Sequence, residues 1–272
     1  MESDPSLVLI HCMRSESINL LGLYLSLLDE TEVLEKIKMG FETRQVKMRY
    51  ITTPNPEIAL QAFKDKELLR AINTSAISLT DGFGLFLMAR LLGKKVRRVT
   101  GSDFMHRMME LALEKNYSIG LLGGREGVVQ KAKTRLLEQY PNLKIVYADS
   151  GPRELDFDYH DPLYLNRLKK ARPQILFVGF GAPKQEKWLY YNQYELPEVR
   201  WAMGIGGGLD FIAREVKRAP CWMRKLGLEW LYRLIQQPFR ARRVFRAVVI
   251  FPCFFCFIFF KNIIKRGCKD VL

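Results

Sequence analysis

Short apolar runs alternate along the chain with longer segments that carry apolar residues every three or four positions. The short runs contain many β-branched residues and end at Gly, Pro or Asp, which is typical of buried strands. They predict strands at residues 46–53, 76–79, 117–122, 144–148, 175–179 and 201–205. The longer segments predict helices at residues 31–41, 58–72, 84–92, 104–115, 128–140, 164–171 and 184–194. This alternation predicts an α/β fold with a Rossmann-like, mostly parallel sheet flanked by helices.

The first residues have a less definite pattern. Residues 7–12 predict either a short strand or an extension without regular structure. Glu2 and Asp4 precede this run, whereas a signal peptide starts with basic residues, so we expect no secretion signal here. The five cysteines show no spacing typical of a disulfide framework, which favours a reducing compartment.

The composition changes towards the C-terminus. Residues 214–272 hold fourteen Lys or Arg and three Asp or Glu, so most of the formal net charge of +14 lies there. A basic, aromatic tail is typical of proteins that bind nucleic acid, anionic membranes or phosphate-bearing substrates. We therefore divide the chain into an α/β domain over residues 1–219 and a basic, helical appendage over residues 220–272.

The appendage contains an uncharged run over residues 247–260. As a helix it would measure about 21 Å, shorter than the roughly 30 Å hydrocarbon core of a bilayer. Pro252 would also kink it. We therefore expect shallow or re-entrant insertion at a membrane, with a tilted span over residues 247–264 as the alternative. Docking onto the chain's own body is disfavoured, because phenylalanines would face all sides of the helix.

Four predicted strands end in loops that can approach a ligand. In one-letter code these are TPNPE at 53–57, TDGFG at 80–84, LGGREG at 122–127 and GFGAPKQE at 179–186. The carboxyl ends of parallel strands meet at one edge of a sheet, where glycine-rich turns and helix N-termini favour phosphate groups. The loops therefore predict a shared crevice. Its candidate ligand contacts are Gly123, Gly124, Gly181, Lys184, Gln185 and Glu186.

Asp81 directly follows one of these predicted strands. A carboxylate at a strand end can act on a ligand. Asp is also a preferred N-cap, here for a helix that begins near Phe83. The loop taken alone favours the capping hypothesis, because Asp-Gly turns are common.

The appendage adds three candidate phosphate ligands. Arg233, Arg240 and Arg243 carry guanidinium groups, which bind phosphate through two parallel hydrogen bonds. Arg240 and Arg243 share one face of a predicted helix. Charge at a membrane surface is the alternative interpretation of all three.

Several classes of protein lack support. The three histidines have no convincing nucleophile beside them, which disfavours a Ser-His-Asp or Cys-His enzyme. No spacing indicates a metal site, since Cys253 and Cys256 lie in an apolar run without a second ligand pair. GFGAPK lacks the third glycine of a dinucleotide fingerprint, which argues against a nucleotide-dependent oxidoreductase. That enzyme class and a non-enzymatic protein that binds membrane or nucleic acid are the alternatives.

Together these motifs resemble the WecG/TagA/CpsF family of bacterial glycosyltransferases, glycosyltransferase family 26. The resemblance runs from about Gly22 to Arg243 and includes the four loops, RVTGSDF at 98–104, YPNLKIV at 140–146 and LEWLYRL at 228–234. The apolar tail beyond Arg246 lies outside it. At Arg214 the chain departs from the family, which usually has a glycine there.

The resemblance implies an inverting enzyme that moves a sugar, often N-acetylmannosamine, from a UDP-sugar to a polyprenyl-diphosphate-linked saccharide. The product would serve cell-surface polysaccharide or teichoic acid synthesis. The resemblance also implies a peripheral or shallowly inserted protein at the cytoplasmic face of the bacterial inner membrane. We expect no metal, cofactor or nucleic acid to bind. The resemblance is compatible with a homo-oligomer.

The resemblance also assigns candidate roles to single residues. Asp81 matches the family's proposed catalytic base, and Thr53 and Asn55 match its active-site Thr-x-Asn. Arg98 matches a basic residue of the active site. The three appendage arginines match residues that fold over the site and contact diphosphate.

Overall fold

The computed structural model describes residues 16–152 and 159–258 of the 272-residue chain. An antiparallel hairpin, β1 (Ser17–Leu20) and β2 (Leu23–Ser26), comes first. Six further strands form one sheet: β3 (Arg49–Thr52), β4 (Ile77–Ser78), β5 (Ile119–Gly123), β6 (Ile145–Asp149), β7 (Ile175–Gly179) and β8 (Trp201–Gly204). Every pairing in this sheet is parallel, and the spatial order is β4-β3-β8-β7-β5-β6.

The order of the strands explains where a crevice opens. From β3 the chain moves outward to β4 at one edge of the sheet, whereas from β5 it moves to β6 at the other edge. Loops at the carboxyl ends of these strands therefore diverge, which leaves an open site between them. β7 and β8 fill the centre of the sheet, and all their residues are buried.

Helices cover both faces of the sheet. Ile175 and Phe177 of β7 belong to one hydrophobic cluster, whereas Leu176 and Val178 belong to another. Successive strand residues point to opposite faces, so each face has its own core. The helices of the body are α1 (Glu30–Glu42), α2 (Pro56–Lys64), α3 (Lys66–Thr74), α4 (Phe83–Leu91), α5 (Gly101–Lys115), α6 (Val128–Gln139), α7 (Pro162–Ala171), α8 (Lys184–Tyr191) and α9 (Gly208–Ile212).

The predicted α/β architecture is confirmed, although several boundaries differ. The predicted helix over residues 58–72 is two helices, α2 and α3. They break at Asp65, whose side chain accepts hydrogen bonds from the first N–H groups of α3. The predicted strand over residues 76–79 has only two residues in the sheet, and the predicted helix over residues 184–194 ends at Tyr191. Residues 7–12 lie outside the described ranges.

The appendage is a series of short helical segments. They are α10 (Cys221–Lys225), α11 (Glu229–Gln236), a 3₁₀ turn (Pro238–Arg240), α12 (Ala241–Phe245) and a π turn (Arg246–Ile250), followed by helix over residues 251–258. The π turn ends two residues before Pro252, which has no N–H to complete an ordinary helical turn. In the described ranges, no helix has the length and apolar character needed to cross a bilayer.

The last helical segment docks onto the body of the protein. Phe251 and Phe255 are buried in a hydrophobic cluster that includes residues of α2 and α4. Phe254 packs edge-on against Phe63 of α2, with 4.6 Å between ring centroids. Phe257 is 64% exposed, so the phenylalanines divide between a packed side and an exposed side. The expectation that phenylalanines on all sides disfavour docking was therefore wrong.

Arg214 lies in the loop after α9 and has a left-handed backbone, with φ of +58°. A side chain in this conformation costs roughly 1 kcal/mol compared with glycine, because its Cβ crowds the backbone. Arg214 therefore keeps the backbone conformation that a glycine would favour at this position, and its backbone is locally strained.

Candidate active site

A cleft of about 930 Å³ lies at the carboxyl edge of the parallel sheet. The loops that follow β3, β4, β5, β7 and β8 all contribute to its lining, together with the appendage. Residues on these loops that line the cleft include Thr53, Asn55, Asp81, Gly124, Gly181, Lys184, Gln185 and Gly206. The prediction of a crevice shared by the four strand-end loops is therefore confirmed.

Asp81 lies in this cleft directly after β4. The N-cap of α4 is Gly82, and no side chain caps that helix, so the hypothesis that Asp81 is the cap is wrong. The backbone N–H of Gly101, at the start of α5, instead lies close enough to the Asp81 carboxylate to lower its pKa. Asp81 therefore points towards a helix N-terminus, where a negative charge is favoured.

Several groups act on the ionisation of Asp81. Burial and then the Glu229 carboxylate raise the pKa of Asp81 to about 6. The Gly101 N–H, Arg233 and Arg98 act in the opposite direction. A carboxylate with a pKa close to neutral is suited to accept a proton during a reaction.

Thr53 and Asn55 are fixed by contacts within the body. The Thr53 hydroxyl donates to the carbonyl oxygen of Gly204, at the end of β8, over 3.2 Å. The Asn55 side-chain oxygen accepts from the N–H groups of Glu57 and Ile58, each at 3.0 Å, and so caps α2. Both residues therefore have defined positions in the cleft before any ligand binds.

Two glycines allow the loops around Asp81 to touch. A Cβ atom at Gly82 would lie 2.4 Å from Cδ of Pro56, and a Cβ atom at Gly101 would lie 2.8 Å from Cγ2 of Thr53. Both distances are well below van der Waals contact. Any side chain at either glycine would push the loops apart and move Asp81 relative to Thr53.

Gln185 and Glu186 are neighbours, but only Gln185 lines the cleft. Gln185 accepts a hydrogen bond from the Gly206 N–H and donates one to Glu186 Oε1, both over 2.8 Å. Glu186 is 1% exposed, and burial raises its pKa to about 7. The structure therefore places Glu186 behind the cleft, where it orients the Gln185 amide.

Gly123, the last residue of β5, and Gly124, the next residue, differ in the same way. Gly124 lines the cleft, whereas Gly123 does not. A Cβ atom at Gly123 would lie 2.7 Å from the backbone of Gly179 in β7, so this position needs glycine for the approach of two strands.

The three candidate arginines of the appendage all line the cleft. Arg233 forms an ion pair with Glu229 at 2.8 Å, and its guanidinium lies 4.5 Å from the ring centroid of Phe211. Arg243 Nε lies 2.8 and 3.0 Å from the two carboxylate oxygens of Glu57. A carboxylate thus holds each of these two arginines in place.

Arg240 differs from the other two arginines. Within residues 16–152 and 159–258 it forms no ion pair, whereas Arg233 and Arg243 each have a carboxylate partner. Burial lowers the pKa of Arg240, and the charges of Arg243 and Arg233 lower it further. Arg240 therefore carries the least compensated positive charge of the three, in a position suited to an anion.

Arg98 does not line the cleft. It donates a hydrogen bond to the carbonyl oxygen of Arg224 at 2.6 Å. Asp103 forms ion pairs with Arg218 at 2.6 Å and with Arg224 at 3.0 Å. Arg98 and Asp103 therefore anchor the start of the appendage beside the loop that carries Asp81.

The sequence interpretation missed two carboxylates, Glu57 and Glu229. Glu229 and Arg233 are four residues apart on one helix, a spacing that indicates an ion pair and was available in the sequence. Glu57 and Arg243 are 186 positions apart, so no local pattern could pair them.

No metal site is evident in the part of the chain that the structure describes, where no group of His, Cys, Asp or Glu could hold an ion. The positive charges in the cleft come from arginine side chains and from Lys184. Catalysis without a metal or cofactor stays a prediction.

Comparison with known proteins extends the resemblance. The sequence profile of the Glycosyl transferase WecG/TagA/CpsF family matches residues 18–267. The match continues past Arg246, so the expectation that the apolar tail lies outside the family resemblance was wrong.

Two bacterial relatives cover most of the chain. A protein of Bacillus subtilis (strain 168) is 34% identical over 196 residues, which are 71% of this chain and 74% of that protein. A protein of Staphylococcus aureus (strain MW2) is 31% identical over 237 residues, which are 86% of this chain and 90% of that protein. Each is named N-acetylglucosaminyldiphosphoundecaprenol N-acetyl-beta-D-mannosaminyltransferase.

These matches do not favour an oxidoreductase or a non-enzymatic binding protein. They agree with a cleft at the carboxyl edge of a parallel sheet that holds Asp81 and the three candidate arginines of the appendage. The chain belongs to the WecG/TagA/CpsF family and is a glycosyltransferase.

Proposed function

We propose that the chain transfers N-acetylmannosamine from its UDP-sugar to N-acetylglucosamine carried on undecaprenyl diphosphate, with inversion at the anomeric carbon. The observation that carries this proposal is a single cleft that holds Asp81, with its raised pKa, together with three arginines. The names of the bacterial relatives supply the two sugars and the lipid carrier.

Asp81 acts as the base in the proposed reaction. The acceptor hydroxyl gives its proton to the Asp81 carboxylate while its oxygen forms a bond to the anomeric carbon. The bond between that carbon and the phosphate oxygen of UDP breaks, and its electron pair leaves with UDP. Attack from the face opposite the leaving group inverts the anomeric centre.

The arginines stabilise the leaving group. Negative charge grows on the diphosphate of UDP as the bond breaks, and fixed positive charges lower the energy of that transition state. Arg233 and Arg243 are already held in place by Glu229 and Glu57. Preorganised cations need little rearrangement during the reaction, which suits this role.

The test is a transfer assay on N-acetylglucosaminyl-diphosphoundecaprenol with a panel of UDP-sugars. We expect UDP-N-acetylmannosamine to be the preferred donor. Asp81→Asn should reduce transfer about 10²- to 10⁴-fold, the usual contribution of a general base, while the Kd for UDP stays unchanged. Glu215→Gln is the matched control, because Glu215 also lines the cleft but does not affect the pKa of Asp81.

Each part of the proposal has its own contrary result. Near wild-type transfer by Asp81→Asn would exclude Asp81 as the base. Preference for another UDP-sugar would exclude the proposed donor while leaving the base assignment intact. Binding of NAD(H) in place of UDP would favour the oxidoreductase alternative.

We further propose that the enzyme works as a peripheral protein at the cytoplasmic face of the membrane. The appendage exposes large apolar side chains, which include Trp222, Leu226, Ile235, Phe239 and Phe245. Apolar and aromatic side chains combined with arginines favour the interface of an anionic bilayer. A lipid-linked acceptor would be presented at the same surface.

A further inference from the structure

A second cavity, of about 390 Å³, lies outside the proposed catalytic machinery. Residues of α5, α6, α9 and the loop after α9 line it, and we call it the basic pocket. It is lined by Ser102, Met105, His106, Arg135, Leu136, Glu138, Gln139, Phe211, Ile212, Arg214 and Arg218. Three arginines face one glutamate in this lining, so the pocket carries net positive charge.

The arginines of the basic pocket are only partly compensated. The side chains of Arg135 and Arg214 form no ion pair or hydrogen bond within the described ranges. Arg218 uses Nη2 to bind Ser102 and Asp103, but its buried Nε has no partner. Cations gathered in a concave surface attract an anion and raise its local concentration.

The backbone of Arg214 is an independent indication. Its left-handed φ of +58° is strained for any residue with a side chain, and glycine would relieve that strain. Glycine would also remove one of the three guanidinium groups from the pocket. Backbone strain of this kind concentrates where a side chain has a role at a binding site.

We propose that the basic pocket is a second ligand site, which binds a phosphate monoester or a diphosphate. Its volume of about 390 Å³ is within the range of small-molecule sites, and the guanidinium groups supply paired donors to phosphate oxygens. The phosphate can belong to a soluble compound or to a lipid headgroup. Ser102 and Phe211 also line the catalytic cleft, so the two sites share part of their walls.

His106 provides a local reporter of binding. Its pKa is lowered by burial and by Arg218 and Arg224, whereas Asp103 and Glu110 act in the opposite direction. A phosphate group in the basic pocket would raise this pKa, because it favours the imidazolium form. The chain has only three histidines, so the His106 signals can be assigned with the His106→Gln variant.

The experiment follows the His106 imidazole by NMR in the full-length protein. Pyrophosphate and inorganic phosphate are titrated in one arm. In the other arm, vesicles of phosphatidylcholine with and without phosphatidic acid, whose headgroup is a phosphate monoester, are added. We expect a saturable change in the His106 signals and a higher pKa of His106. Arg135→Gln and Arg214→Gly should each raise the Kd about tenfold, since each removes a charged phosphate contact.

Arg172→Gly is the matched control. Arg172 is also an exposed arginine with a left-handed backbone, at φ +47°, but it lies outside the basic pocket. It should bind like wild type, and so should Arg240→Gln, which alters the catalytic cleft.

Either arm can support the proposal and identify the source of the phosphate. A response to pyrophosphate or phosphate indicates a soluble ligand, and a response only to phosphatidic acid vesicles indicates a headgroup. No response of His106 to any probe would overturn the proposal. Equal weakening by Arg172→Gly, or loss of the response in Arg240→Gln, would also overturn it.

Discussion

The ionisation of Asp81 depends on residues that are distant in the sequence. Glu229 raises the pKa of Asp81, while Arg233 and Arg98 lower it. Glu229 and Arg233 both belong to the appendage, which Arg98 and Asp103 anchor to the body. Docking of the appendage therefore adjusts the strength of the proposed base.

Transfer should depend on pH through Asp81. Because the protonated carboxyl group cannot accept a proton, log kcat/KM should rise with pH up to about 6 and level off above it. Glu229→Gln removes a charge that raises the pKa of Asp81, so the rise should move to lower pH. A pH profile of kcat/KM measures both effects.

Two controls separate Asp81 from other carboxylates in this profile. Glu186 has a pKa raised to about 7, so Glu186→Gln must keep the rise near pH 6 if Asp81 is responsible. Glu215→Gln should also leave the rise in place. An unchanged profile in Glu229→Gln would argue against an electrostatic link between the appendage and the base.

The three candidate arginines of the appendage should not contribute equally to the rate of sugar transfer. Arg240→Gln should lower kcat/KM roughly 10²- to 10³-fold, as for loss of one preorganised transition-state donor. Arg243→Gln should lower it less, because Glu57 already balances the charge of Arg243. Arg242→Gln is the control, since Arg242 is exposed and does not line the cleft. Equal losses in all three variants would indicate a general charge effect.

The candidate residues were only partly predictable from the sequence. The motif around Asp81 placed a carboxylate at a strand end, but a cap and a base have the same sequence signature. The structure excludes the cap, since Gly82 occupies the N-cap position, whereas the role of Asp81 as a base stays a prediction. Glu186 and Gly123 were predicted to contact the ligand, but neither lines the cleft. Their neighbours Gln185 and Gly124 do line it, and no sequence pattern distinguishes the two members of each pair.

At the scale of elements, periodicity predicted the order of strands and helices but not how the last segment packs. A run with phenylalanine on several sides has no single apolar face, so its pattern cannot show which residues are buried. Its partners, α2 and α4, lie more than 150 positions earlier in the chain. The break at Asp65 was missed for a local reason, since α2 and α3 are both amphipathic and nearly continuous.

Docking of the last segment can be measured with a matched pair of variants. Phe251→Ala removes a fully buried ring and should lower the free energy of unfolding by about 3 kcal/mol. Phe257→Ala removes a ring that is 64% exposed and should have little effect. Chemical denaturation gives both values. Equal stability of the two variants would mean that this segment does not pack on the body in solution.

At the scale of the whole molecule, the appendage has one surface that packs on the body and another that is exposed. One surface meets the body through Arg243, Phe251 and Phe255, and the other exposes Phe239 and Phe245. Net charge and hydropathy predicted a tail with affinity for membranes. They could not show that part of the same tail completes the catalytic cleft and the core.

Membrane binding should respond to the exposed surface alone. Ile235→Ser combined with Phe245→Ser should reduce co-sedimentation with vesicles that contain phosphatidylglycerol, because both side chains are exposed and lie outside the cleft lining, and less apolar surface is then available for burial in the interface. Binding should also weaken as salt increases, since arginines contribute to it. The Kd for UDP should not change. Undiminished co-sedimentation would argue against this surface as the membrane contact.

Deletion of the appendage before Pro220 should release the protein from membranes and remove most transfer to the lipid-linked acceptor. It also removes Phe251 and Phe255 from a core cluster, so the loss combines several causes. Full activity of the truncated protein would exclude a role of the appendage arginines in the active site. An assay on the lipid-linked acceptor measures this directly.

The shared cluster also sets an order of events during synthesis. Ile18 and Leu20 of the first hairpin belong to the same hydrophobic cluster as Phe251 and Phe255. The ribosome adds Ile18 and Leu20 more than 200 residues before Phe251 and Phe255. The cluster therefore stays incomplete in the nascent chain until the appendage has been synthesised. Arg240 also emerges late, long after Asp81. The growing chain therefore acquires its proposed catalytic cleft only after Arg240 has been made, and premature termination in the appendage would leave apolar surface for chaperones to cover.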